Sequence, residues 1–269
     1  MIEAIRQQFT KEMTDEDKFN RAREYIQILS LKILDERGTF RFMAFTGGTA
    51  LRIIFGLKRF SEDFDFSLVK KDGPSFLEIN KSLIDGLKLA GLDVESKPKV
   101  KNTVFGAMLK FPGLLKELGL SPLASQNLSI KIEADSNPPK GGIIQNTFIQ
   151  KFYIFNVAHF DLPSMYATKL HACFYRKYVK GRDFYDFIWY MSKRIKPNFV
   201  LLNNAIEQTE GKFPGIDEKK FKGFLLKGIE RVDFNSAARD VERFLEDKSE
   251  LRLFNAELIK DSIKSVYGE

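Results

Sequence analysis

The stretch FTGGTALRIIFGLKRFSEDFDFSL, residues 45–68, combines a diglycine turn, a short helix and an acidic strand. Asp63 and Asp65 alternate there with Phe64 and Phe66, which is the period-two pattern of a half-buried strand. The two carboxylates are therefore predicted to share the exposed face. Like charges at this spacing repel each other and are costly to desolvate. A cation between them would remove both costs, so the pair is a candidate metal site.

The turn before the acids is suited to an anion. Gly47 and Gly48 would let backbone N–H groups approach closely, and the N-terminus of the next helix would face the same anion. Arg52 or Arg59 could add charge-assisted contacts to a phosphate group. A metal ion beside a phosphate-binding turn is typical of enzymes that catalyse phosphoryl or nucleotidyl transfer. Either signal alone is more often structural, so the prediction depends on their joint order along this one stretch.

Composition limits the class of protein. A chain of 269 residues with 43% hydrophobic and 29% charged residues can bury one large core or two modest ones. No run approaches the length of a membrane span, and the N-terminal residues are too charged for a secretory signal, so we expect a cytoplasmic protein without a membrane partner. The single Cys173 excludes an internal disulfide and a multi-cysteine metal site. The formal net charge of +7 favours polyanionic partners such as nucleotides or RNA.

Hydrophobic periodicity predicts an α/β (α+β) region followed by an all-helical C-terminal region. A Thr14–Asp17 capping box should start a long helix that ends near Glu36. The predicted strands beyond residue 90 are 92–97, 99–111, 127–134 and 147–157. The predicted C-terminal helices are 163–177, 182–194, 197–209, 217–230, 235–247 and 254–266. The change near residue 160 predicts a domain of residues 1–160 and a helical domain of residues 161–269.

The run Gly47-Gly48-Thr49-Ala50-Leu51, followed by Arg59, Ser61, Glu62, Asp63 and Asp65, resembles the signature of the nucleotidyltransferase superfamily. More narrowly, it resembles the AbiEii/AbiGii family of abortive-infection toxins. The resemblance implies a nucleotidyltransferase-like mixed sheet with flanking helices in the α/β region. A second signature of that family is a helix carrying a lysine and then an R-D-x-x-D helix. Here it is matched by Lys169 in MYATKLHACFYR and by residues 182–186, RDFYD.

One departure concerns the phosphate side of the site. Many superfamily members have serine where this chain has Gly48, so the hydroxyl that touches phosphate must come from Thr49 or Ser61, or be absent. With Gly47, Gly48, Arg52 and Arg59, these residues are the predicted nucleotide-binding set on this side.

The resemblance also implies a third carboxylate on a neighbouring strand. In NLSIKIEAD, alternation places Glu133 on the face opposite Leu128, Ile130 and Ile132. Glu133 is therefore the candidate that would join Asp63 and Asp65 as a metal ligand or accept the proton of an attacking hydroxyl, with Asp135 as its substitute. A solvent-facing glutamate would show the same pattern.

In the second signature, the resemblance makes Lys169 a triphosphate ligand and Asp183 its nearby catalytic partner. A snorkelling lysine on an apolar helix is the alternative. Asp186 lies one helical turn after Asp183, and its role stays open, because it could equally be a structural acid that pairs with Arg176, Lys180 or Arg182.

The reaction that the resemblance implies is attack of an acceptor hydroxyl on the α-phosphorus of an NTP, with release of pyrophosphate and with Mg²⁺ or Mn²⁺ as cofactor. The enzyme would be the toxin of a toxin–antitoxin pair that modifies RNA, such as a tRNA 3′ end, and is restrained by a cognate antitoxin. Two alternatives remain at this point. One is the same chemistry on a small molecule or a protein hydroxyl, and the other is a non-catalytic nucleotide- or RNA-binding module.

Overall fold

The structure is a computed structural model that describes residues 1–101, 103–123 and 125–268. The chain divides into two compact units. The first, called the sheet unit here, comprises Met1–Gly56, Phe60–Pro138 and Gln145–His159. The second, the helical unit, comprises Leu57–Arg59, Pro139–Ile144 and Phe160–Glu269. Two short segments that precede residue 160 therefore belong to the helical unit.

The strands form one seven-stranded mixed sheet in the order β3-β4-β5-β2-β1-β7-β6. Strand β2 lies in its centre, antiparallel to β1 and parallel to β5. This architecture confirms the predicted α/β class with a mixed sheet and flanking helices. The strands are β1 (Met43–Thr46), β2 (Phe64–Leu68), β3 (Glu95–Lys101), β4 (Val104–Phe111), β5 (Leu128–Asp135), β6 (Ile144–Gln150) and β7 (Ile154–Phe160).

Two strand predictions were wrong in their division. The predicted strand 99–111 spans the end of β3 and all of β4, which are antiparallel neighbours, and its residue Asn102 lies outside the described residues. The predicted strand 147–157 is interrupted at residues 151–153, so that β6 ends and β7 begins within it. Neither the sequence at 102–103 nor that at 151–153 contains Gly or Pro, the residues that most strongly mark turns.

The long first helix begins and ends as predicted. The Thr14 side chain accepts from the Asp17 backbone N–H, and the Asp17 carboxylate accepts from the Thr14 N–H, which completes the capping box. The helices of the sheet unit are α1 (Ile2–Arg6), α2 (Asp15–Glu36), α3 (Gly47–Phe55), α4 (Phe76–Leu89) and α5 (Leu114–Glu117), with a 3₁₀ turn at Thr39–Arg41.

In strands β4 and β5, one face is apolar and largely buried, and the other is more exposed. Along β5, Ile130 and Ile132 are buried, whereas Lys131 and Glu133 between and beyond them are partly exposed. Helix α4 covers the apolar face, because the ring of Phe76 stacks on that of Phe105 in β4 at 5.7 Å between centroids. The polar face of β2 and β5 is the one that carries the predicted carboxylates.

The helical unit contains the remaining helices, several of which begin with a side-chain cap. Asp161, for example, accepts from the Ser164 N–H at the start of the first of them. None of the helices among the described residues is long and apolar enough to cross a membrane. They are α6 (Leu162–Tyr175), α7 (Gly181–Ser192), α8 (Phe199–Glu210), α9 (Glu218–Ile229), α10 (Phe234–Val241) and α11 (Ala256–Val266), with 3₁₀ turns at Glu242–Phe244 and Lys248–Leu253.

Candidate active site

Asp65 is the second residue of the central strand β2, and Asp63 directly precedes that strand. Phe64 and Phe66 on either side of Asp65 are buried against Phe45 of β1, with ring centroids 5.8 and 5.3 Å from it. Burial of the two aromatic side chains determines which face of β2 is turned to the core. Because side chains alternate along a strand, Asp65 then lies on the opposite, polar face.

Gly47 makes room for the Asp65 carboxylate. Its φ of 75° is left-handed, and a Cβ built on it would lie 2.1 Å from Asp65 Oδ2. The backbone pairing of Thr46 with Asp65 brings the turn to this place. A side chain at residue 47 would fill the space that the carboxylate occupies, so the turn requires glycine here both for its φ and for its lack of a side chain.

Strand β5 brings Glu133 directly beside Asp65, since the two are partners in the parallel β2–β5 ladder. Paired residues of neighbouring strands point to the same face, as the prediction for Glu133 requires. The substitute candidate, Asp135, pairs with Ser67 one step further along. Asp135 also accepts a hydrogen bond from the Asn137 backbone N–H.

Lys131 is a residue of this face whose importance the sequence analysis missed. Its Nζ lies 2.8 Å from Glu133 Oε1. Partial burial lowers the pKa of Lys131, but the hydrogen bond and charge of Glu133, together with the charges of Asp63 and Asp65, outweigh burial and raise it. The Lys131 ammonium thus interacts electrostatically with all three carboxylates. The sequence feature that could have identified Lys131 is its position two residues before Glu133, on the same face of an alternating strand.

Two carboxylates and a glycine cradle fit a hard divalent cation. Among the residues that the structure describes, no three His, Cys, Asp or Glu side chains are gathered closely enough to hold a metal by themselves. Mg²⁺ in nucleotide enzymes is commonly held by one or two protein carboxylates, with substrate phosphates and water as the other ligands. The donor chemistry of Asp63 and Asp65 suits such a site, and Glu133 is at present paired with Lys131.

Thr49 and Ser61, the two residues predicted to supply a hydroxyl, both make contacts near the start of β2. Thr49 Oγ1 donates to the backbone carbonyl of Asp63, so it ties helix α3 to the residue that begins the acidic strand. The backbone carbonyl of Ser61 accepts from Gln27 Nε2 on α2 at 3.1 Å. Both contacts hold the segment that leads into β2.

Arg52 is buried against Glu24, which the sequence analysis did not single out. Arg52 Nε lies 2.5 Å from Glu24 Oε1, and Arg21 and Lys151 also pair with this carboxylate. Burial raises the pKa of Glu24, but the three cations outweigh it and hold the pKa below its usual range. Glu24 lies within the long helix α2. The sequence pattern there is the same for a buried, paired acid as for a surface acid, so only the contacts with other parts of the fold identify it.

In the helical unit, Lys169 lies between two acids. Its Nζ is 2.6 Å from Asp183 Oδ1 and 2.8 Å from Asp186 Oδ2, and Arg176 pairs with the second oxygen of Asp183. Burial lowers the pKa of Lys169, but the two carboxylates outweigh it and raise the pKa well above its usual range. Burial raises the pKa of Asp183, but Lys169 and Arg176 outweigh it and lower the pKa.

Asp186 has different partners from those considered in the sequence. Besides Lys169, it receives both Nε and Nη2 of Arg59, each at 2.6 Å, in a bidentate pair that is almost fully buried. Arg176, the first of the three proposed partners, pairs with Asp183 instead. Arg59 is 127 residues away along the chain, and no local pattern links it to Asp186.

Comparison with known proteins gives the family. A crystal structure from Helicobacter pylori assigned as a nucleotidyltransferase shares the fold, with 18% identity, 91% of this chain and 93% of that chain covered, and a TM-score of 0.53. The JHP933 structure from the same species has 19% identity, covers 90% and 94% of the chains, and has a TM-score of 0.47. No curated protein sequence matches at a significant level. A profile of the nucleotidyl transferase AbiEii toxin, of type IV toxin–antitoxin systems, matches residues 31–258. Since that match spans most of the chain, the chain belongs to the AbiEii family of nucleotidyltransferase toxins.

Proposed function

We propose that this nucleotidyltransferase transfers NMP from an NTP to a hydroxyl of an RNA acceptor, such as a tRNA 3′ end, with Mg²⁺ or Mn²⁺ bound at Asp63 and Asp65. The observation that carries the proposal is the packing of Gly47 against the Asp65 carboxylate on the polar face of the central strand. It joins the diglycine turn and the acidic strand into one site. A divalent cation bound there would offset the charge on the reacting phosphoryl group.

The remaining residues of the sheet unit have separate tasks in this proposal. Gly47 and Gly48 open the start of helix α3 to an anionic group, since α3 begins at Gly47. Thr49 holds the Asp63 backbone and thereby positions the first carboxylate. Glu133 lies beside Asp65 in the ladder, where one of its oxygens can accept the proton of the attacking hydroxyl.

In the helical unit, Lys169 is the proposed triphosphate ligand and Asp183 the acid that positions it. Because Asp183 and Asp186 raise its pKa, Lys169 keeps its positive charge at any physiological pH. A Lys169→Met variant should therefore bind NTP more weakly, and an unchanged dissociation constant would overturn this assignment. Membership of a toxin–antitoxin family implies, in addition, a cognate antitoxin as partner.

The substitution Asp65→Asn tests the central claim. Asparagine keeps the shape of the side chain but removes the charge that a hard cation needs. Transfer of labelled NMP to total RNA should fall by at least about a thousandfold, because the stabilisation lost is worth several kcal/mol. The metal-free variant should be at least as stable as the parent, since one of two neighbouring like charges is gone.

The matched control is Asp85→Asn, which makes the same chemical change at an exposed position of helix α4, on the other side of the sheet. It should retain transfer within a few-fold. Parental activity in Asp65→Asn would show that Asp65 does not bind the metal, and an unstable variant would show that Asp65 serves the fold. If NMP were transferred to a small molecule or a protein and not to RNA, the proposed nucleotidyl transfer would stand and the proposed acceptor would be wrong.

A further inference from the structure

The polar face of the sheet continues beyond the acids into a row of lysines. Lys97 and Lys99 lie on the edge strand β3, and Lys110 lies on β4; all three are exposed. We call these three residues the lysine edge. With Lys131, which is partly exposed, they place four ammonium groups on this part of the face, against one exposed carboxylate of β3, Glu95, which pairs with Lys110 in the ladder.

The strand register links the lysine edge to the carboxylates. Lys99 pairs with Gly106, Gly106 with Glu133, and Glu133 with Asp65. Residues paired across neighbouring strands share a face, so this row crosses four strands on the polar side. At about 4.8 Å per strand, it covers about 14 Å, roughly four times the 3.4 Å rise of one nucleotide in a helical strand.

Gly106 leaves this row without a side chain between its basic and acidic ends. A Cβ at residue 106 would come no closer than 3.8 Å to another atom, the carbonyl oxygen of Ile132, so the backbone does not require glycine for space. The missing side chain instead leaves a path over the sheet surface. Next to it, Met108 and Val104 are 38% and 36% exposed and offer apolar surface to bases.

Protection of the sheet edge does not account for this pattern. Lysines on an edge strand commonly prevent pairing with another sheet, and Pro98 already interrupts hydrogen bonding on β3. Lys110 and Lys131, however, belong to the interior strands β4 and β5, where no free edge exists. Their common feature is the face on which they lie. A basic surface with interleaved apolar groups is complementary to single-stranded nucleic acid.

We propose that the lysine edge is the docking surface of the acceptor, a single-stranded RNA segment that runs from Lys97 and Lys99 past Gly106 to Glu133. That the RNA runs toward Glu133 rests on the proposed function. That the lysine edge binds RNA does not. The charge-reversed variant Lys97→Glu/Lys99→Glu tests it. Its matched control is Lys81→Glu/Lys88→Glu, two exposed lysines on α4, which packs on the opposite face of the sheet.

Binding of a labelled single-stranded RNA is measured by fluorescence anisotropy over a range of salt concentrations. The lysine-edge variant should bind at least about tenfold more weakly, with a salt slope smaller by about 1.4, because each lost phosphate contact contributes about 0.7. The control variant should retain most of the affinity. Equal weakening in both variants would show a general charge effect and overturn the proposal. Unchanged RNA binding in the lysine-edge variant would also overturn the proposal. This holds even if the variant no longer binds an acidic antitoxin.

A Gly106→Val variant gives a second test that leaves the charge unchanged. Valine suits a strand, and its side chain would stand in the path between Lys99 and Glu133. RNA transfer should fall at least tenfold in kcat/KM for RNA, while the NTP dissociation constant stays parental. Parental transfer would overturn the proposed path. If the parent binds RNA through the lysine edge but transfers no nucleotide to any RNA, the proposed function fails and the docking surface stands.

Discussion

Gly47 allows the cost of a left-handed backbone to be separated from the cost of crowding Asp65. Gly56 has nearly the same φ, 73° against 75°, but a Cβ there would meet no atom within 4 Å. We predict that Gly56→Ala lowers the free energy of unfolding by about 1 kcal/mol, the cost of left-handed backbone alone. Gly47→Ala should cost at least about 2 kcal/mol and weaken Mn²⁺ binding, because the carboxylate must move. Urea unfolding and calorimetry measure the two effects, and equal behaviour of the variants would contradict this account.

Lys131 gives a second prediction for a single side chain. Its ammonium pairs with Glu133, so it should compete with any cation that the carboxylates attract. In Lys131→Met, the affinity for Mn²⁺ should rise by about tenfold, because a unit of positive charge leaves a site within a few ångströms. Titration calorimetry at fixed pH measures it. Lys110→Met is the control, and an unchanged or weaker affinity in Lys131→Met would show that Lys131 does not compete.

At the scale of elements, α7 is tied to the rest of the helical unit by buried charges. Asp186 is fully buried and accepts from Arg59 and Lys169. Removing one member of such a network leaves the others uncompensated, so Asp186→Asn should cost about 3–5 kcal/mol. Asp261→Asn makes the same change in an exposed pair and should cost less than about 1 kcal/mol. Chemical unfolding compares them, and equal losses would show that burial does not set the cost.

The buried acids also predict how stability depends on pH. The folded-state pKa values of Asp183 and Glu24 lie below the ordinary values of 3.8 and 4.5. The unfolded chain therefore binds protons at higher pH than the folded chain, and their contribution is complete above these values. The free energy of unfolding should fall as pH falls below about 4.5, and this loss should be smaller in Glu24→Gln, whose stability at pH 7 is already reduced. Constant stability between pH 5 and 3 would contradict the prediction.

At the scale of the whole molecule, membership of a toxin family makes growth a readout of the site. Expression of the parent chain should arrest the growth of a bacterial host, and Asp65→Asn should abolish the arrest while soluble protein accumulates, because the site is lost without loss of the fold. Colony counts and the soluble fraction measure both effects. An equally toxic Asp65→Asn chain would place the toxicity outside nucleotidyl transfer.

The sequence by itself was sufficient for the features that depend on local patterns. Alternation of aromatic residues with Asp65 predicted the acidic strand, because a strand has a period of two and one face must be buried. The capping box at Thr14 predicted the start of α2, since its hydrogen bonds join residues three apart. Two spaced signatures were enough for the family, which the match over residues 31–258 confirms.

Only the tertiary structure determined the charged pairs that no local pattern or family signature indicates. Asp186 pairs with Arg59, 127 residues earlier, and Arg52 pairs with Glu24, 28 residues earlier. The pairing of β3, β4 and β5 likewise sets Lys99 in the same row as Glu133 and Asp65. Local periodicity states which face a side chain occupies, but the pairing of distant segments is set by the packing of the whole core, and a carboxylate has the same sequence pattern whether its partner is a lysine, an arginine or water.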